Sequence, residues 1–310
     1  MNKFKDGIKS NAALYKAAVC LKTLGLKILY TLCPEVVFRR KYKVRFQRRL
    51  DLKNPRGFNE KIIWYILYYR NPAMCTMADK YAVRGFLQDA GYGDMLNTLY
   101  GAWDSAEDVD FAAMGEKFVL KANHSSGDYL ICTDKSALDI ENAREIMRTW
   151  LKKDFAKLSG EWHYGNMKRR IICEKFLENA DGSSMSDYKI HCFDGKARFT
   201  LVCSNRQSDL RMNYYDMDWN LMEARKSNWR DHDTTPKQPV QFARMVEIAE
   251  HFAKEFPFVR VDFFECDGKI YFGEFTFFPA NGMQPILPFE WDIKIGDMFN
   301  LPEKTKRGVC

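Results

Sequence analysis

The stretch VRVDFFECDGKIYFGEFTF, residues 259–277, decides how the rest of the chain is read. Val, Phe, Ile and Tyr fill both arms and Asp267-Gly268 sits between them as a turn signal, so the stretch predicts a β-hairpin. The arms also carry charge: Arg260 and Asp262 on the first, Glu274 on the second. A carboxylate among strand aromatics is costly to desolvate unless a cation meets it. The register decides which groups meet. A two-residue loop at Asp267-Gly268 would put Asp262 and Glu274 on opposite faces. A three-residue loop, Asp267-Gly268-Lys269 with the glycine left-handed, sets Asp262 opposite Glu274 and Arg260 opposite Thr276. In that register two acids and a guanidinium line one patch of sheet, either as a wet amphipathic face or as a site for something cationic.

The 310 residues leave room for two subdomains with a real core, and 46% hydrophobic content suits a folded chain. Nine cysteines occur in odd number with no CxxC pair, and no signal peptide opens the sequence. That pattern predicts free thiols in a reducing cytosol and argues against a disulfide framework and a structural zinc site. No HxxxH or HExxH spacing exists, so a zinc hydrolase has no support either. The net charge of +7 is unevenly spread: residues 1–50 hold thirteen Lys/Arg against two Asp/Glu, which leaves the remainder mildly acidic.

Within that basic segment, residues 11–33 are apolar but interrupted by Lys16, Lys22 and Lys27, too often for a spanning helix of ~18 residues. The spacing predicts a mostly apolar amphipathic helix with a narrow basic stripe. FRRKYKVRFQRR (38–49) follows, dense in cations and aromatics. Two readings stay open: an interfacial helix and polybasic patch on an anionic cytoplasmic leaflet, or a helix docked on the protein's own core. No nucleic-acid-binding module follows the basic run, so nucleic acid is not expected as a partner.

Further on, helical spacing covers 54–72, 78–93, about 139–158 and 239–256, and strands are predicted over 117–134, 170–178 and 187–204, with another strand-turn stretch at 213–222. Strands and helices without regular βαβ alternation indicate α+β layers. Four features precede the hairpin in order: Lys80 in ADKYAVR, Lys121 before the small-residue loop NHSSGDY, Glu174 ending the strand IICEKFL, and Lys189 opening YKIHCF. With Asp262 and Glu274 they are what a triphosphate needs. Lysines neutralise phosphoryl oxygens, loop N–H groups wrap them, and a carboxylate pair presents Mg²⁺.

In this string of motifs, running from GFNEKIIWYILYYRNP through KFVLKANHSSGDY, GEWHYGNMKRRIICEKFL, DYKIHCFDGK and YYDMDWNL to the hairpin and EWD (290–292), the sequence resembles the TupA-like ATP-grasp family of cell-surface polysaccharide and teichuronopeptide biosynthesis. The resemblance implies an α+β ATP-grasp fold, two subdomains gripping ATP and a smaller N-terminal lobe. Its expected divisions are 1–50 for the basic segment, 51–115 for the lobe, 116–180 and 181–300 for the subdomains, and 301–310 for a tail. It also implies that Lys80, Lys121 and Lys189 contact phosphates and that the loop around His124, Ser125, Ser126 and Gly127 closes over them. Glu174, Lys175, Phe176 and Leu177 would form the strand edge that reads adenine. Asp262, Glu274 and Thr276 would hold Mg²⁺, with Arg260 and Lys189 catalytic.

Thr276 departs from the Asn common at that position in ATP-grasp enzymes, and the phosphate loop is poorer in glycine than usual. The activity implied is ATP-dependent, ADP-forming carboxylate–amine ligation through an acylphosphate, joining an amino acid or amine to a uronic-acid-bearing glycan of a capsule or exopolysaccharide. The expected location is cytoplasmic, peripheral on the inner face of the membrane. Two alternatives compete. Asp216 and Asp218 form a DMD triplet that would suit a nucleotide-sugar glycosyltransferase, although the same acids read as turn residues. A degenerate ATP site would instead make the chain a non-catalytic scaffold. His163, in EWHYGN, is a further ligand candidate, whereas His191 packs within its strand and His232 and His251 read as surface residues.

Overall fold

The computed structural model describes residues 12–182, 185–204, 209–227, 231 and 236–305. His232, the tail beyond 305 and the side chains of Lys16 and Lys22 lie outside the described residues. Two antiparallel sheets organise the chain. The smaller has the order β1 (Leu99–Trp103), β4 (Ile171–Lys175), β2 (Phe118–Ala122), β3 (Tyr129–Cys132). The larger runs β10 (Lys269–Thr276), β9 (Phe258–Cys266), β5 (Ser186–Phe193), β6 (Lys196–Ser204), β7 (Arg211–Asp216). A two-stranded ribbon pairs β8 (Arg225–Lys226) with β11 (Ile286–Leu287). The α+β expectation holds.

Each sheet has its own core. Helix α6 (Ile140–Lys152) lays Ala143, Met147 and Trp150 on the small sheet with Phe118, Leu120 and Cys173. The larger core packs one face of the five-stranded sheet on α8 (Phe242–Ala253), whose Phe242, Met245, Ile248, Ala249 and Phe252 recur at helical spacing. Helix α3 (Phe58–Tyr68) joins the same cluster: Phe58 packs edge-on against Phe193 and Phe258. Segment 51–115 therefore contributes to both cores, residues 58–67 to the large and 106–114 to the small.

Two helical predictions resolve into broken pieces. Residues 139–158 form α6 and a short α7 (Phe155–Ser159), with Asp154 accepting from the N–H of Lys157 to start the second. Upstream, α4 (Ala73–Ala78) and α5 (Ala82–Asp89) are separated at Asp79-Lys80-Tyr81. Asp79 Oδ1 accepts from the N–H groups of Tyr81 and Ala82, which stops one helix and starts the next.

At the N-terminus, α1 (Ala12–Leu32) and α2 (Pro34–Phe46) meet at Cys33. Tyr30 of α1 is buried, edge-on to Phe38 of α2, and both rings lie against Gly160 behind α7. That glycine has φ +86° and no room for a Cβ. Among the described residues no helix is long and apolar enough to cross a membrane.

The hairpin that opened the sequence reading is β9–β10, and it combines the shorter turn with the register expected of the longer one. Asp262 does lie opposite Glu274 and Arg260 opposite Thr276. The turn, however, has two residues: Cys266 pairs with Lys269, and Asp267 and Gly268 both have positive φ, the type I′ pattern. What restores the register is a bulge at Gly273, between Phe272 and Glu274. A Cβ at Gly273 would sit 2.9 Å from the Asp262 carbonyl oxygen, so the bulge needs glycine.

Candidate active site

One face of the large sheet carries the charges. Alternation places Asp187, Lys189 and His191 of β5 beside Arg260 and Asp262 of β9 and Glu274 and Thr276 of β10. Asp262 is 2% exposed and surrounded by cations. Arg260 donates from Nε to Oδ1 at 2.6 Å and from Nη2 to Oδ2 at 2.7 Å, while Lys189 Nζ reaches Oδ2 at 2.5 Å. Lys189 also pairs with Asp187 at 2.7 Å. Burial alone would push the Asp262 carboxyl up, but Arg260 and Lys189 hold it well below the usual carboxylate range.

The second acid lives differently. Glu274 has its side chain 36% exposed, accepts from Thr276 Oγ1 at 3.0 Å, and lies 3.4 Å from Arg260 Nη2. Its other oxygen, Oε2, is 4.0 Å from Lys80 Nζ. Of the two acids expected to hold a metal, Asp262 is the one whose charge Arg260 and Lys189 neutralise here. An all-oxygen donor set suits a hard cation, and magnesium bound to a nucleotide commonly takes only one or two protein carboxylates. Glu274, with Thr276 beside it, fits that description, whereas Asp262 has given both oxygens to protein donors. Among the described residues no group of three or more His, Cys, Asp or Glu side chains could hold a metal by itself.

Lys80 joins the two sheets. Held in the gap between α4 and α5, it donates to the Ser125 carbonyl at 2.6 Å and faces Glu274. The β2–β3 loop is fastened from behind. Asn123 Nδ2 donates to Asp79 Oδ1 at 2.9 Å and to the Lys168 carbonyl at 2.9 Å. His124 is buried, with Nδ1 at 3.0 Å from Asn123 Oδ1 and Nε2 at 3.1 Å from the Trp150 carbonyl. Predicted as a nucleotide contact, His124 has both ring nitrogens engaged inside the protein and so fixes the loop. Ser126 and Gly127 are exposed at its tip, and Gly127 has φ +82°.

Lys121 and Glu174 meet directly. Lys121 Nζ lies 2.6 Å from Glu174 Oε2, and Arg84, which the sequence reading missed, takes Oε1 at 3.0 Å. Two cations share one carboxylate, which leaves positive charge for an anion. The residues expected to read adenine straddle the end of β4, which is itself interior, flanked by β1 and β2. The Lys175 N–H donates to the Thr98 carbonyl, its C=O accepts from Asn97, and the Phe176 N–H donates to Lys117. Only from Phe176 onward does the chain leave the sheet, as a link tied to the β9–β10 turn by Ala180 N–H to Asp267 Oδ1 at 3.1 Å.

Two further groups went unrecognised in sequence. Glu161, in the turn before His163, is buried. Burial, aided by the Glu274 charge, pushes its carboxyl up to about 8 against the pull of Ser159 and Lys80. Lys226 of β8 is brought down to about 8 by burial and by Arg260 and Lys189. His163 stays neutral, since burial lowers it to about 3, and it packs against Tyr164 and Phe278. His191 stacks on Phe199 at 4.3 Å between ring centroids, as a strand residue should.

The Glu161 shift has a measurable sign. The folded protein keeps a proton that the unfolded chain releases above about pH 4.5, so stability falls as pH rises from there to about 8. Urea unfolding of Glu161→Gln across that window should show a flatter pH profile than the wild type. Parallel profiles would mean that Glu161 ionises normally.

The acids behind the glycosyltransferase alternative sit at the end of β7 and in the turn after it. Asp216 Oδ1 accepts from the N–H groups of Asp218 and Asn220, and Oδ2 accepts from Asn220 Nδ2 at 3.0 Å. A family model, TupA-like ATPgrasp, matches residues 60–300, most of the chain. The chain belongs to the TupA-like ATP-grasp family. No curated protein matches the sequence. Among solved structures, a D-alanine–D-alanine ligase from Bacillus anthracis is 18% identical, with 72% of this chain and 65% of that one covered and a TM-score of 0.41. The same enzyme complexed with ATP is 17% identical, covering 66% and 54%, with a TM-score of 0.39. A D-alanine–D-alanine ligase from Helicobacter pylori is 13% identical, covering 79% and 70%, with a TM-score of 0.40. This chain therefore spans 54% and 65% of the two Bacillus anthracis chains.

Proposed function

We propose that this TupA-like ATP-grasp protein is an ATP-dependent carboxylate–amine ligase of cell-surface polysaccharide biosynthesis. It would work at the cytoplasmic face of a membrane and join an amino acid or other amine to a uronic-acid-bearing glycan. The observation that carries the reading is the convergence on Lys80, where the Ser125 carbonyl of the small sheet's loop and Glu274 of the large sheet's hairpin meet one ammonium group. A triphosphate laid there would have Lys80 and Lys121 on its oxygens and the N–H groups around Ser125, Ser126 and Gly127 over them. Adenine would lie against the link at Phe176-Leu177.

Magnesium, held through Glu274 beside Thr276 and completed by phosphate oxygens, would supply charge neutralisation. A substrate carboxylate oxygen attacks the γ-phosphorus, and the bond to the bridging oxygen breaks to release ADP. The amine nitrogen then attacks the acyl carbon and gives up a proton, and the C–O bond to phosphate breaks. Arg260 spends Nε and Nη2 on Asp262, Glu274 and Thr276, and Nη1, which takes no part in those bonds, would meet the developing oxyanion. Lys189, pinned between Asp187 and Asp262, is a positioning residue for Arg260.

The test is product analysis with purified protein, Mg-ATP, uronic-acid glycans and amino acids. ADP and phosphate that require both substrates are expected. ADP formed with a sugar alone and no phosphate release would mean a kinase. Nucleotide-sugar hydrolysis lost in Asp216→Asn would mean a glycosyltransferase. ATP binding without turnover across the panel would favour a scaffold.

A further inference from the structure

The N-terminal helices settle which of their faces the protein uses. Helix α1 turns Tyr30 inward onto α7 and Phe38, so one side is committed to the protein's own core. The opposite side is apolar and open. Leu21, Leu24, Ile28 and Leu32 follow one another at intervals of three and four residues, a single stripe, with Leu21 71% and Leu32 70% exposed. This inverts the usual amphipathic arrangement, in which the outer face is polar.

On α2 the face turned away from the buried Phe38 is likewise open. Val36, Arg40, Lys43 and Val44 share one face of α2, and all four are exposed. Among the described residues no carboxylate lies within ion-pair distance of Arg40, Lys43 or Arg49. The other nearby arginines are occupied: Arg39 pairs with Glu35, Arg45 donates to the Met283 carbonyl, and Arg48 lies over Phe289. The surface therefore combines an uncovered apolar stripe with uncompensated cations at its end.

We propose that this surface, Leu21, Leu24, Ile28, Leu32 and Val36 with Arg40 and Lys43, docks the protein onto an anionic lipid bilayer. The apolar stripe enters the boundary between headgroups and acyl chains while the basic residues lie against lipid phosphates. Charge complementarity selects this occupant. A second copy packed on the same face would offer Arg40 and Lys43 no carboxylate, since Leu21, Leu24, Ile28, Leu32 and Val36 carry none. The proposal deepens only the location in the preceding reading, and its test uses neither ATP nor an acceptor. A protein that binds vesicles but ligates nothing would leave this surface standing while removing the ligase.

Full-length protein would be sedimented with vesicles of phosphatidylcholine alone or mixed with phosphatidylglycerol. Binding to the mixed vesicles, reversed by salt, is the expected result. Arg40→Gln/Lys43→Gln should weaken partitioning about 30-fold, and Leu24→Ser/Ile28→Ser/Leu32→Ser should bring it to the level of neutral vesicles. Both variants change only exposed side chains, and unchanged thermal unfolding would confirm that they fold. Wild-type protein left in the supernatant with both vesicles would overturn the proposal, as would variants that sediment like wild type. A dimer in sedimentation velocity that the triple variant dissolves would assign the face to a second copy instead.

Discussion

Replacing Asp262 with alanine is expected to destabilise the protein by about 3–5 kcal/mol, the cost of leaving buried cations without their carboxylate. Arg260 and Lys189 both direct their charge at this residue, and Arg260 is itself buried. Denaturant unfolding measures the loss directly. Lys189→Met/Asp262→Leu, which removes charge from both sides, should recover part of it, and a double variant no better than Asp262→Ala would sink the explanation. The pH dependence has a definite sign. Because the folded carboxyl is held far below its unfolded value, its contribution is intact above about pH 4 and is lost only as pH falls through the strongly acid range.

Glu274→Gln is the complementary experiment, with a small effect on stability and a large one on turnover. Its half-exposed side chain relies on neighbours that an amide can still satisfy. As the carboxylate assigned to magnesium, its loss should slow ATP consumption by about a thousandfold or more. Turnover at wild-type rates would remove Glu274 from the proposed metal site. Loss of activity accompanied by unfolding would show that the residue is structural and remove it equally.

The hairpin's outcome was legible before its cause. Composition and spacing leave two turn lengths open, and the opposition of Asp262 and Glu274 comes from the bulge at Gly273, although a lone glycine inside a strand is itself a bulge signal. Lys80 was recognised by type and misplaced by element, because the helical periodicity of 78–93 hides the break that Asp79 imposes. His124 stands out through its small-residue loop, and nothing local announces that the Trp150 carbonyl, twenty-six residues on, accepts from its ring. Arg84, Glu161 and Lys226 reach the site from three other elements. Their separation in sequence carried no motif, and only tertiary packing brings them together.

The pairing of Arg260 with Asp262 also bears on how the chain folds. The two are two residues apart on one strand, whereas Glu274 is fourteen residues from Arg260 and Lys189 is seventy-three from Asp262. A contact of such short loop length costs little chain entropy to close, while the approach of β5 must wait for a far larger closure. On closure entropy alone, Arg260 is expected to neutralise Asp262 within the hairpin and Lys189 to complete the cluster once β5 docks.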